Sequence, residues 1–82
     1  MELILTRLAE KELIRLPKSE QKKAVKKLEV LERNPLIGKK LAGKLQIYRS
    51  LRFWPYRIVY HINEGSRKIW IDHTIHRQGA YK

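Results

Sequence analysis

Tyr56-Arg57-Ile58-Val59-Tyr60-His61-Ile62, followed by Asn63-Glu64-Gly65-Ser66 and then Arg67-Lys68-Ile69-Trp70-Ile71-Asp72-His73-Thr74-Ile75, decides the fold. Both outer segments are rich in β-branched and aromatic residues, and their apolar positions follow a period of two, so they read as strands. The four residues between them read as a hairpin turn, with Gly65 expected to supply a positive φ. In the last strand Ile69, Ile71 and Ile75 are expected on one face. Just upstream, Ile47–Phe53 has the same strand character. Pro55 has no N–H to give to a ladder, so it belongs in the turn between that strand and Tyr56–Ile62.

Toward the N-terminus the period changes to that of a helix. Leu8, Ala9, Leu13, Ile14 and Leu16 make one helical stripe after Thr6, a suitable N-cap. Pro17 stops that helix, and Ser19 is placed to cap a second. Ala24, Val25, Leu28 and Leu31 form its buried face, and Asn34-Pro35 ends it. Glu2–Thr6 reads as a short strand before both helices. Residues 34–45 are a connection, turned by Gly38 and Gly43 and charged by Lys39, Lys40 and Lys44. The order is β-α-α-β-β-β. It predicts one α+β domain spanning residues 1–82, with an N-terminal helical hairpin on one face of an antiparallel sheet.

Composition narrows the function classes. The 82 residues hold 19 Lys+Arg and 8 Asp+Glu, a formal charge of +11, with 43% hydrophobic residues. That is enough apolar content for a core, which excludes a disordered basic tail. With no Cys there is no disulfide framework and no thiolate metal site, and no run is apolar enough to span a membrane. A cytoplasmic domain with an anionic partner is expected. The charge is uneven: residues 1–38 carry nine bases and six acids, residues 39–82 ten bases and two acids. All seven aromatics also lie in the second half. Arginine interleaved with aromatic rings suits the phosphates and bases of single-stranded RNA.

The two acids of the basic half, Glu64 in a turn and Asp72 mid-strand, do not make the carboxylate cluster that metal-dependent cleavage needs. Neither a metal nor another cofactor is expected. Cutting RNA without metal uses its 2′-hydroxyl as nucleophile. It needs a proton acceptor, positive charge on the phosphorane and a proton donor. Arg57, mid-strand between apolar neighbours, must either pair with an acid or face an open site. The C-terminal His73-Thr74-Ile75-His76-Arg77-Gln78-Gly79-Ala80-Tyr81-Lys82 is rich in groups able to move protons or hold phosphate. By strand alternation only one of His73 and His76 faces the site, unless a bulge intervenes.

Tyr-Arg-Ile-Val-Tyr at 56–60, the apolar strand after it and His76-Arg77-x-x-x-Tyr81-Lys82 resemble the RelE/ParE superfamily of toxins. Leu41-x-Gly43 and Tyr48-Arg49-Ser50-Leu51-Arg52 are similar to the lead-in and entering strand of that family. The resemblance implies the toxin of a type II toxin–antitoxin system. In the RelE-like branch this is a metal-independent endoribonuclease (an mRNA interferase) that cleaves mRNA in the ribosomal A site. It implies Arg57 and Arg77 as the phosphate-stabilising arginines, and Tyr81 as general base or stacking platform. His76 is an alternative proton carrier. It also implies Lys39, Lys40, Lys44, Arg49 and Arg52 as RNA-binding positions. Where the family pattern has lysines on the entering strand this chain has Arg49 and Arg52, which keep the charge but transfer protons poorly. The implied partners are an acidic antitoxin, in a hetero-oligomer, and the ribosome. A ParE-like gyrase poison and a non-catalytic RNA-binding module are the alternatives.

Overall fold

A computed structural model of the chain describes residues 1–76. Its elements are β1 (Glu2–Leu5), α1 (Arg7–Ile14), α2 (Lys18–Arg33), the two-residue β2 (Lys39–Lys40), a 3-10 turn at Gly43–Leu45, β3 (Tyr48–Phe53), β4 (Tyr56–Asn63) and β5 (Lys68–His76). The α+β class and the helical hairpin are as expected. Two features of the sheet differ. It has five strands, in the order β1-β5-β4-β3-β2, and β1 runs parallel to β5, so the sheet is mixed rather than antiparallel. Residues 7–33 carry the chain back across the sheet, and such a crossover allows the parallel pairing. Lys39 and Lys40, expected within a loop, pair with Ser50 and Arg49 as an edge strand. No helix among the described residues is long and apolar enough to cross a membrane.

Thr6 starts α1 by the expected chemistry: its Oγ1 accepts from Ala9 N–H at 3.1 Å and donates to Ile71 C=O at 2.8 Å. The cap therefore also ties the helix to β5. Pro17, not Ser19, stands at the N-cap of α2, whose first turn lacks a side-chain cap. Gln21 closes the hairpin instead, donating to the Ile14 and Leu16 carbonyls at 3.1 and 2.8 Å. Those carbonyls would otherwise be left open where Pro17 ends the helix.

Both helices cover one face of the sheet. Ala9, Ala24, Leu28 and Leu31 meet Phe53, Ile58, Tyr60, Ile69 and Ile71 in the core. Val25, expected on that buried face, is exposed, as are Leu8 and Ile14 from the α1 stripe. Ile47, expected at the start of β3, also lies outside the strand and is exposed.

A buried hydroxyl organises the approach to β2. Tyr60 Oη donates to Pro35 C=O at 2.7 Å and accepts from Gly38 N–H at 2.9 Å. Arg49 adds two guanidinium bonds from Nη1, to Gly38 C=O at 2.9 Å and Leu36 C=O at 3.4 Å. Burial pushes the Tyr60 phenol above the ordinary tyrosine value, against the Gly38 hydrogen bond and the Arg49 charge that pull it down.

The β4–β5 turn corrects the expectation for Gly65. Arg67, not Gly65, takes the left-handed backbone, with φ 56°. Asn63 Oδ1 accepts from Ser66 N–H at 3.2 Å and closes the four-residue loop. A side chain in that region is strained. Arg67→Gly is therefore expected to raise stability by up to about 1 kcal/mol, read as a higher urea midpoint at unchanged slope.

Candidate functional site

Alternation along β3, β4 and β5 leaves a second face that the helical hairpin does not cover. Cross-strand register sets its rows. Arg52 stands opposite Arg57, and Ile75 lies on the far side of Arg57. In the next row Ser50, Val59 and His73 are neighbours, with Lys39 of β2 beside Ser50. Tyr48, His61 and Trp70 form the third row.

An irregularity in β5 shapes this face. Tyr60 pairs with Ile71 and Val59 with His73, so Asp72 is an extra residue, a β-bulge. A bulge resets alternation beyond it and turns two successive side chains to one side. Asp72 and His73 consequently both line the open face. The core place after Ile71 passes to Thr74, which is buried. Ile75, expected with Ile69 and Ile71, is turned to the open face opposite Arg57.

Tyr48, Val59, Asp72, His73 and Ile75 of this face floor a groove of roughly 690 Å3. One wall is Leu8 and Glu12 of α1, and the other is Leu41 and Leu45 around the 3-10 turn. The exposure of Leu8 and Leu45 is thereby explained, since both flank the groove rather than the core. Two carboxylate–imidazole pairs lie along it: His61 Nδ1 to Asp72 Oδ2 at 2.6 Å and His73 Nδ1 to Glu12 Oε1 at 3.4 Å. The His61 ring also meets Tyr48 edge-on, with centroids 5.7 Å apart. Among the described residues no three His, Cys, Asp or Glu side chains gather as a metal site.

The candidate residues separate under this geometry. Arg52 and Arg57 come together as facing residues on neighbouring strands, with Cβ atoms about 5 Å apart. That spacing sets two arginines side by side on adjacent strands of one face. Lys39 shares the face, and Lys44 lies on the turn that builds one wall. Lys40 has the opposite parity.

Arg49 stands apart from Arg52 and Arg57. It pairs with Tyr60 on the helix-side face, and its Nη1 bonds the Leu36 and Gly38 carbonyls. His76 is also placed differently from expectation. It faces Tyr56 across the strands, its ring 5.5 Å away, and has the parity of buried Thr74 rather than that of Arg57. His73 occupies Arg57's face instead. Arg77 and Tyr81 lie outside the described residues. Glu12, His61 and Asp72 were not among the sequence candidates. Glu12 reaches the site only through tertiary packing, and a bulge leaves no mark in a period-two pattern.

The fold is similar to solved toxins. The toxin–antitoxin complex RelBE2 from Mycobacterium tuberculosis matches with 29% identity and a TM-score of 0.84, over 93% of this chain and 96% of that one. The YoeB/ParE toxin from Agrobacterium tumefaciens matches at 19% identity and TM-score 0.80, over 93% and 98%. The archaeal RelE–RelB complex from Pyrococcus horikoshii matches at 23% and 0.75, over 96% and 97%. Those last two likenesses establish the fold alone. No curated protein matches the chain. The family model of the ParE toxin of the type II toxin–antitoxin system parDE matches residues 3–81. Since that match takes in nearly the whole sequence, the chain belongs to the ParE toxin family of type II toxin–antitoxin systems.

Proposed function

We propose that this toxin is a metal-independent, ribosome-dependent endoribonuclease that cleaves mRNA in the ribosomal A site. The observation that carries the proposal is the Arg52–Arg57 pair, on facing positions of the uncovered side of the sheet, in the row next to the groove-lining Val59 and His73. In-line attack by a 2′-hydroxyl puts extra negative charge on the phosphoryl oxygens. Two fixed guanidinium groups stabilise that charge more than they stabilise the ground state. Arg57 is the main arm, since it is half-buried on the central strand, and exposed Arg52 is the second. Arg77 and Tyr81 keep the roles that the RelE-like resemblance implies, a further phosphate contact and a base or stacking ring. Lys39 and Lys44 extend the positive track along the strand of RNA.

Two of the similar solved structures are the toxin–antitoxin complex RelBE2 and a RelE–RelB complex. A cognate acidic antitoxin is accordingly part of the proposal, and a chain of charge +11 is electrostatically suited to it. The alternative, poisoning of DNA gyrase, is what the ParE-like side of the resemblance implies, and the matching family model is that of a ParE toxin. Purified chain added to ribosomes stalled on a defined mRNA separates the two. Primer extension is expected to show new 5′ ends within the A-site codon, and none in the same mRNA free of ribosomes. Intact mRNA, together with double-strand DNA breaks in cells expressing the chain, would establish the gyrase activity instead.

A further inference from the structure

The geometry points to His73 as the group that takes the 2′-hydroxyl proton, with Glu12 of α1 as its positioning residue. This rests on the nuclease activity proposed above. The bulge at Asp72 brings His73 to the open face, across from Val59 and one pleat from Arg57. Its Nδ1 is shielded from solvent and has no hydrogen-bond partner among the described residues, and the Glu12 carboxylate lies 3.4 Å away. The side chain as a whole is 42% exposed. The accessible edge of the ring is therefore the other one, which carries Nε2.

Glu12 is itself fixed. It is only 20% exposed, and its Oε1 accepts the Thr74 backbone N–H at 3.1 Å. β1 stops at Leu5, paired with Ile71, so the edge of β5 beyond that point is open to α1. One carboxylate thus anchors α1 to the sheet and faces His73 Nδ1. A carboxylate at Nδ1 favours the tautomer with its proton there, which leaves Nε2 free to accept. Such contacts are often long without substrate and shorten in the reacting complex.

In the reaction the 2′ oxygen bonds to the adjacent phosphorus while its proton passes to Nε2 of neutral His73. The bond from phosphorus to the 5′ oxygen breaks, and that oxygen takes a proton from water. The products are a 2′,3′-cyclic phosphate and a 5′-hydroxyl, and the imidazolium returns its proton to solvent. Besides Glu12, the charged or titratable groups facing His73 are Asp72 beside it on β5, and Arg57 and His61 on β4, one pleat to either side of Val59.

Two readings on the full chain test this: the tautomer of the His73 ring, read from its 15N NMR shifts, and single-turnover cleavage on stalled ribosomes. Glu12→Gln keeps an oxygen for Thr74 N–H but removes the charge. It is expected to shift the ring away from the tautomer protonated at Nδ1 and to slow cleavage with it. His73→Gln is expected to slow cleavage by roughly 10²–10⁴-fold. An unchanged tautomer in Glu12→Gln, or a wild-type rate in His73→Gln, overturns the assignment. If the unsubstituted chain does not cleave at all, the nuclease activity fails and the role of His73 in it fails too. The tautomer reading still shows in that case whether Glu12 holds the ring.

Discussion

Arg57→Ala is expected to slow A-site cleavage by about 10²–10³-fold and to relieve growth arrest to the same extent, as removal of one preorganised transition-state donor does elsewhere. The loss should fall on the chemical step rather than on ribosome binding, because a single positive charge is one of many in a chain of +11. Arg57→Lys keeps the charge but loses the fork, so partial activity is expected. Arg52→Ala, at an exposed position, should cost about tenfold, and the double variant less than the product of the two, because both arms serve one phosphate. Single-turnover rates on stalled ribosomes give all four numbers. Equal urea midpoints show that the variants remain folded.

Gly38→Ala is expected to be the most damaging small substitution outside the groove, costing about 2–3 kcal/mol, or roughly 8–20 °C in Tm for a domain of this size. A Cβ at Gly38 would fall 2.6 Å from Cε1 of Tyr60, and closer still to its hydroxyl. The ring cannot retreat, since it is fully buried and its hydroxyl is bonded to both Gly38 N–H and Pro35 C=O. The requirement for glycine here is space, not a left-handed backbone. Tyr60→Phe tests the same clamp from the other side and should cost about 1–3 kcal/mol by leaving both loop groups without their partner.

The clamp also carries a pH signature. The folded state holds the Tyr60 proton more tightly than the unfolded chain does, so its contribution is complete below the ordinary tyrosine value of 10.0 and fades as pH rises above it. Tyr60→Phe should lack that alkaline component. Because Gly38 leads directly into β2 and the 3-10 turn, loosening it should also disturb the groove wall at Leu41 and Leu45.

The sequence disclosed the elements better than it disclosed their relations. Period-two runs, Thr6, Pro17 and Asn34-Pro35 are local signals, and each marks a boundary that the structure keeps. The parallel pairing of β1 with β5 depends on where a 27-residue helical connection returns the chain, which no local pattern states. For the same reason β2, two lysines paired only through Ser50 and Arg49, was indistinguishable from a loop. Arg57 was legible because an arginine amid apolar strand residues demands a partner or an open face. The placement of Arg49 on the face opposite to that of Arg52 and Arg57 is not legible from charge, which does not reveal parity. The bulge at Asp72 had the widest effect: it moved Ile75 out of the core and placed His73 beside Arg57's row, leaving His76 on the other side. Glu12, more than sixty residues from its Thr74 contact, belongs to the site only once α1 is docked.

Chemistry at the cut ends tests the central claim most directly. mRNA fragments released from the A site of stalled ribosomes are expected to carry a 2′,3′-cyclic phosphate on the upstream piece and a 5′-hydroxyl on the downstream piece. A single 2′-deoxynucleotide at the cleavage position should abolish the cut. Downstream ends bearing a 5′-phosphate, or undiminished cleavage of the deoxy-substituted message, would contradict it.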